Sequence, residues 1–177
     1  MKTKRLVFIS IFVALALVLD YIKSFIPFLN MPSGGSINIA LIPIVICSFK
    51  LDYKAGFIAG FLWWLVSSLL GLNNYFISVA QYLMDYILPS IIPGLCSVFY
   101  KKKNNFEMIM GIIVCMTIRT LCVVISGAIF WPGDVASNSL AAWSASLVYN
   151  LPYSLITTIV LAISVPIIIK AINFDVV

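Results

Sequence analysis

The chain has 177 residues, of which 63% are hydrophobic and only 10% are charged, and its formal net charge is +5 at pH 7. Soluble domains carry about 25% charged residues, so this composition excludes a soluble fold and leaves no room for a soluble domain beside the membrane part. The chain has no histidine, which excludes histidine-based acid–base chemistry and histidine–metal sites. The four cysteines lie in apolar segments without a CxxC spacing, so we predict buried thiols, no metal site and no cofactor.

The first apolar segment follows three basic residues and continues to about Ile26. It is longer than the apolar part of a signal peptide, and no clear cleavage site follows it. We therefore predict a retained first helix over 6–27. The second apolar segment, 37–50, is short for a span of about 20 residues and contains Pro43, which favours a tilted, broken or internally packed helix.

Four longer apolar segments follow, each separated from the next by a short polar or glycine-containing turn. Segments of this length and composition cross the hydrocarbon core of a bilayer as helices, because helices satisfy their own backbone hydrogen bonds. We expect an all-α integral membrane protein with six transmembrane helices that form a single domain over residues 1–177. The four segments are 55–72, 76–99, 107–131 and 142–171.

The basic residues are distributed unequally across the predicted bundle. Nine lie on one side, Lys23 lies alone on the other, and Arg119 lies within a helix. This asymmetry predicts that both termini are cytoplasmic and that the chain is a multi-pass protein of the cell membrane, with lipid around it. It also accounts for the positive net charge without a nucleic-acid-binding surface. The nine residues are Lys2, Lys4, Arg5, Lys50, Lys54, Lys101, Lys102, Lys103 and Lys170.

Asp85 is the single charged residue between Phe76 and Tyr100. A carboxylate at membrane depth costs about 2.5–3.5 kcal/mol on insertion scales, so it requires a partner or a ligand. One interpretation is that Asp85 binds a cationic ligand. The alternative is a structural ion pair with Arg119, which the helical rise places at a similar depth, and the sequence leaves both open.

Other polar and aromatic residues fall at a similar depth in the outer half of the predicted bundle. Gln81 lies one turn from Asp85 on the same helix face. A carboxylate and amides among aromatic rings suit a flat cationic ligand, although each ring taken singly is also typical of core packing or interfacial anchoring. The predicted ligand-binding residues are Trp63, Tyr75, Gln81, Asp85, Trp131, Tyr149 and Asn150.

The first helix carries the small residues Ser10 and Ala14 on one face. Such faces let membrane helices approach closely, so we predict docking of another membrane subunit here, with internal packing as the alternative. The sequence has no phosphate-binding loop and no chain of buried carboxylates that could couple transport to energy. It also has no recognisable catalytic motif, so we do not expect an enzyme.

Taken together, these features resemble the substrate-binding S-components of energy-coupling factor (ECF) vitamin transporters, and most of all the thiamine-specific subunit. The resemblance extends from about residue 6 to 170. The stretches that carry it are 39–44, 55–63, 75–78, 81–86, 127–131 and 146–150.

The resemblance implies a protein that captures thiamine, or a related cationic heteroaromatic vitamin or precursor, from outside the cell. It also implies a transmembrane coupling subunit and cytosolic ATPases as partners. By position, it places Asp85 near the ligand cation and Trp131 in a stack on the ligand. It places Asn150, Trp63 and Tyr75 in the pocket as well.

Several positions depart from the family pattern that the resemblance implies. Asp85 stands where the family has glutamate, Val123 where it has histidine, and Ala145 where it has tyrosine. Gly34 replaces a loop tryptophan, and Asn38 replaces a nearby glutamate. An S-component for another small vitamin, such as a pyridoxine-like compound or a thiamine precursor, is therefore an alternative, and a self-sufficient membrane transporter is another.

Overall fold

The computed structural model describes residues 2–23, 25–31, 35–72, 75–102 and 104–171. Within these ranges the fold is all-α, as predicted, and extended pairing is limited to one isolated bridge between Asn30 and Ser36. A single 3-10 turn follows the first helix at Pro27–Leu29. The main helices are α1 (Lys2–Lys23), α2 (Leu41–Lys50), α3 (Tyr53–Leu69), α4 (Val79–Phe99), α5 (Asn105–Phe130) and α6 (Leu140–Ala171).

Each of the six predicted segments overlaps one of these helices, with ends that differ by up to four residues. Four helices in the described ranges, α1, α4, α5 and α6, are long and apolar enough to cross a membrane. The ten residues of α2 extend only about 15 Å, which is half of the ~30 Å hydrocarbon core. The number of membrane crossings and the cytoplasmic position of both termini stay predictions.

Polar side chains fix the starts of three helices. Asp52, Ser78 and Asn104 precede α3, α4 and α5, and each accepts a hydrogen bond from the backbone N–H three residues later, at 2.8, 3.2 and 2.8 Å. Such caps satisfy donors that the first turn of a helix leaves free. Because Ser78 caps α4, that helix begins at Val79 and not at 76, so Asp85 lies about 9 Å from the helix end.

Asp52 also joins the start of α3 to the start of α1. Its Oδ1 accepts a hydrogen bond from Arg5 at 2.6 Å. Burial acts to raise the pKa of Asp52, but the backbone N–H of Ala55 and the Arg5 guanidinium outweigh it, so this pKa lies below its usual value. Both side chains are more than a third exposed, so the ion pair contributes little to stability.

The middle of α4 departs from regular α-helical geometry around Asp85. Pro89 has no N–H to donate to the carbonyl of Asp85, four residues earlier. The segment Leu83–Ile87 forms a wider π-helical turn, in which the N–H of Leu88 bonds to the carbonyl of Leu83. Wide turns of this kind are frequent at functional sites, and this one carries Asp85, the carboxylate predicted to bind a ligand.

Small residues allow α3 and α4 to pack with their backbones in contact. A Cβ atom at Gly56 would lie 2.1 Å from the carbonyl oxygen of Gly94, and a Cβ atom at Gly60 would lie 2.4 Å from that of Ser90. This spacing of small residues, four apart on both helices, is typical of close helix pairs in membranes. The crossing fixes α4 against α3, directly after the π-helical turn.

The apolar core occupies the half of the bundle that contains the N-terminal end of α1. It joins α1, α2 and α3 to the end of α4, the start of α5 and the end of α6. The opposite half, which we call the polar half, is built from the start of α4, the end of α5 and the start of α6, and it holds Gln81, Asp85, Ser146 and Asn150. Core side chains include Ile9, Phe12, Leu41, Ile44, Ala55, Ala59, Met108, Ile112, Leu161 and Val165.

We expect Gly60→Ala to destabilise the protein, because its methyl group would collide with the Ser90 carbonyl. Overpacking of this kind costs about 1–3 kcal/mol, which exceeds the roughly 1 kcal/mol that alanine gains in helix propensity. Thermal unfolding in detergent measures the effect. Thr117→Ala, at an exposed position of α5, is the control and should unfold near the wild-type temperature. An unchanged midpoint for Gly60→Ala would contradict the close α3–α4 packing.

Candidate functional site

A cavity of about 630 Å³ lies between the start of α4, the end of α5 and the start of α6. This volume falls within the range of small-molecule sites, about 300–1,000 Å³. Most of its walls are aromatic or small side chains, and Asp85 is the acidic residue among them. Five of the seven predicted ligand-binding residues line it, namely Tyr75, Asp85, Trp131, Tyr149 and Asn150.

Two N–H donors hold the Asp85 carboxylate. Its Oδ2 accepts hydrogen bonds from Gln81 Nε2 at 2.7 Å and from Trp131 Nε1 at 2.8 Å. Both donors bind the same oxygen, and no described residue donates a hydrogen bond to Oδ1. The carboxylate is therefore fixed in orientation while one oxygen remains available to an occupant of the cavity.

Aromatic rings form the mouth and one wall of the cavity. The rings of Tyr75 and Trp131 meet edge to face, with centroids 6.2 Å apart, and Tyr75 is 74% exposed. On α6, the rings of Tyr149 and Tyr153 meet at the same distance and a similar angle. A flat ring can insert among these faces, and a positive charge there is attracted to their π-electrons.

A hydrogen-bonded network fixes the wall between α5 and α6. Ser146 Oγ donates to the carbonyl of Val124 at 2.7 Å, and Asn150 Nδ2 donates to the carbonyl of Ser146 at 3.0 Å. Tyr153 donates its hydroxyl proton to Asn150 Oδ1 at 2.5 Å. A Cβ atom at Gly127 would lie 2.2 Å from Ser146 Oγ, so only glycine permits this approach of the two helices. The amide of Asn150 is thus held in one orientation at the cavity wall.

The segment between α1 and α2 packs against the same helix. Gly35 has a φ of +76°, and a Cβ atom there would lie 2.4 Å from the Tyr153 ring. The backbone N–H of Asn38 also donates a hydrogen bond to Thr157 Oγ1, on α6, at 3.1 Å. Gly34, where the resemblance implies a loop tryptophan, lies outside the described residues.

Arg119 contacts backbone and not a carboxylate. It is 8% exposed, and its Nε donates to the carbonyl of Pro89 at 3.2 Å. Pro93 has no N–H, so the Pro89 carbonyl lacks its usual helical partner and Arg119 supplies the replacement. No described carboxylate lies within ion-pair distance of Arg119. The alternative of an Asp85–Arg119 ion pair is therefore not formed in this structure.

Two predicted residues lie outside the cavity lining. Trp63 is 5% exposed and belongs to the apolar core. Gln81 is fully buried and lies behind Asp85, which it contacts directly. The lining includes Val123 and Ala145, the positions at which the resemblance implies a histidine and a tyrosine. The binding roles of all these residues stay predictions.

The predicted ligand-binding set omits Gly127, Ser146 and the Pro132–Gly133 turn, which also line the cavity. The Ser146–Asn150 pair has the i, i+4 spacing that places two polar groups on one helix face. Gly127 precedes Trp131 by the same spacing. These spacings predict which residues share a helix face. They do not predict that α5 and α6 approach closely enough for those faces to form the cavity wall.

The sequence matches the profile of the family described as "Thiamine transporter protein" over residues 6–174. The chain belongs to this family. It is 34% identical over 170 residues to "Thiamine transporter ThiT" from Bacillus subtilis, an alignment that covers 90% of this chain and 86% of that protein. The structure of ThiT from Listeria monocytogenes superposes with a TM-score of 0.79 at 26% identity, and it covers 96% of this chain and 95% of that one.

These findings confirm the resemblance predicted from the sequence. The family is one of transporters and not of enzymes, in agreement with the prediction. Its membrane fold and the four long apolar helices identify a multi-pass membrane protein.

The geometry around Asp85 predicts that Asp85→Asn leaves stability nearly unchanged. Asparagine can present one oxygen to the donors from Gln81 and Trp131, whereas loss of one partner of a buried ion pair costs about 3–5 kcal/mol. Thermal unfolding of the ligand-free protein in detergent measures this, with Asp85→Leu as the variant that removes the acceptor. A large loss of stability in Asp85→Asn, equal to that in Asp85→Leu, would instead favour an ion pair.

Proposed function

We propose that this chain is the thiamine-binding S-component of an ECF-type transporter, which takes its ligand from outside the cell. The observation that carries the proposal is the Asp85 carboxylate, oriented by two N–H donors and set in a cavity with aromatic walls. Membership of the thiamine transporter family supports the same conclusion.

The chemistry of the cavity suits thiamine, which joins a cationic thiazolium ring to an aminopyrimidine ring. The carboxylate of Asp85 would balance the thiazolium charge through a charge-assisted contact, which is stronger than a contact between neutral groups. Trp131 and Tyr75 at the mouth would stack on one ring. Among the described residues that line the cavity, none is basic, so a cationic ligand is favoured over an anionic one.

Two small apolar side chains in the cavity determine how closely the ligand can be specified. Val123 and Ala145 offer neither a side-chain hydrogen bond nor a ring to the ligand, so these two positions shape the cavity without polar recognition. The proposal therefore extends to cationic heteroaromatic compounds related to thiamine. Competition by pyridoxine and by thiamine precursors against thiamine would rank these ligands.

The proposed partner is a transmembrane coupling subunit that works with cytosolic ATPases. Ser10 and Ala14 are both exposed on α1, on the face opposite the buried residues Ile9, Phe12 and Ala16. Because both small residues are exposed among the described residues, a helix from another subunit could pack against them. Transport by the purified chain alone in liposomes would instead support a self-sufficient transporter.

We expect Asp85→Asn to weaken thiamine binding by more than tenfold. The variant loses a charge-assisted contact, which contributes about 1.5–3 kcal/mol. Isothermal titration of the purified protein measures the affinity. Thr117→Ala, on the exposed surface of α5, should bind as the wild type does. Equal affinity in folded Asp85→Asn and wild type would contradict a ligand-anchoring role for Asp85.

We expect Ala14→Trp to prevent assembly with the coupling subunit, because the indole would occupy the space of the partner helix. Thiamine binding by the isolated chain should persist, since the cavity is built from α4, α5 and α6. Co-purification and transport assays measure assembly. Thr117→Trp, at an exposed position of α5, is the control and should assemble. Normal assembly of Ala14→Trp would exclude α1 as the docking face, whereas a loss of binding would indicate internal packing.

A further inference from the structure

Gln81 connects the carboxylate of Asp85 to the backbone at the cavity mouth. Its Oε1 accepts a hydrogen bond from the N–H of Ile77 at 3.1 Å, and its Nε2 donates to the carbonyl of Tyr75 at 3.3 Å. The same Nε2 donates to Asp85 Oδ2 at 2.7 Å. One fully buried side chain therefore contacts both the anion in the cavity and the backbone of its mouth.

The surroundings determine the orientation of this amide. The N–H of Ile77 requires an acceptor, whereas Tyr75 O and Asp85 Oδ2 both require a donor. A reversed amide would oppose donor to donor and oxygen to oxygen at all three contacts. Glutamate in place of Gln81 would likewise place a carboxylate oxygen against Asp85. Both NH₂ protons and the carbonyl oxygen of Gln81 take part in these hydrogen bonds. This combination of donors and acceptor makes the side chain specific for joining Asp85 to the backbone of the mouth.

The direction of the Asp85 carboxylate depends on this contact. Gln81 and Trp131 bind the same oxygen, so together they hold the side-chain torsion in which Oδ1 accepts from none of the described residues. Without Gln81, a single donor at the exposed rim would remain, since Trp131 is 45% exposed. The carboxylate would then rotate, and its attraction for a cation would weaken because the charge is no longer held at one place.

We propose that Gln81, which does not itself line the cavity, positions the Asp85 carboxylate and so gives the site its preference for a cationic ligand over a neutral ligand of the same shape. This inference rests on the proposed function, because it assigns the recognition of the thiamine cation to a pair of residues. Gln81 is a positioning residue, and its effect passes through Asp85.

The test compares thiamine with a neutral analogue in which a thiophene ring replaces the thiazolium ring. In Gln81→Met we expect roughly tenfold weaker binding of thiamine and less than about twofold weaker binding of the analogue. In protein that already carries Asp85→Asn, adding Gln81→Met should leave the ratio of the affinity for thiamine to the affinity for the analogue unchanged. Equal weakening of both ligands by Gln81→Met would overturn the proposal, as would no weakening of either. If the wild type binds neither ligand, the proposed function itself fails.

A second measurement uses the unaltered chain and so does not depend on the folding of a variant. Gln81 is the only glutamine in the sequence, so cell-free synthesis with side-chain-amide ¹⁵N-glutamine gives a single labelled NH₂ group. We expect thiamine to shift this NH₂ resonance in detergent micelles and the neutral analogue to leave it near its ligand-free position. Equal shifts with both ligands, or no shift with thiamine, would overturn the proposal.

Discussion

The carboxylate of Asp85, within the apolar helix α4, is the constraint on which the site in the polar half depends. A carboxylate in a membrane-spanning helix is costly and requires a partner or a ligand. Here two N–H donors, from Gln81 and Trp131, bind Oδ2, and none of the described residues donates to Oδ1. These hydrogen bonds stabilise the anion in part. We propose that a cationic ring bound among the aromatic side chains supplies the opposite charge.

Several features of the helices serve to place this carboxylate. The π-helical turn at Leu83–Ile87 sets its direction on α4, and the small-residue crossing of α3 and α4 fixes that helix just beyond the turn. Arg119 satisfies the Pro89 carbonyl that Pro93 leaves without a donor, and so stabilises the broken helix from α5. The opposite wall is equally fixed, since Gly127 brings Ser146 and its hydrogen-bonded neighbours close to α5.

The sequence predicts the helical architecture well because hydrophobic runs, caps and basic residues are local signals. It predicts the depth of each polar residue but not its direction around the helix axis. Trp63 shares the approximate depth of Asp85 and yet belongs to the apolar core. Arg119 is within reach of Asp85 by helical rise, but its partner is a backbone carbonyl freed by a proline. The i, i+4 spacing correctly predicts that Gln81 lies on the same helix face as Asp85. It does not predict that Gln81 is buried behind Asp85 and outside the cavity lining.

The most direct test of the central claim is to identify the small molecule that the protein retains. Purification in mild detergent after growth with thiamine, followed by denaturation and mass spectrometry of the released compound, gives both its identity and its stoichiometry. The account predicts close to one thiamine cation per chain in the wild type and a large reduction in Asp85→Asn. Release of a neutral or anionic compound, or equal retention of thiamine by both proteins, would contradict it.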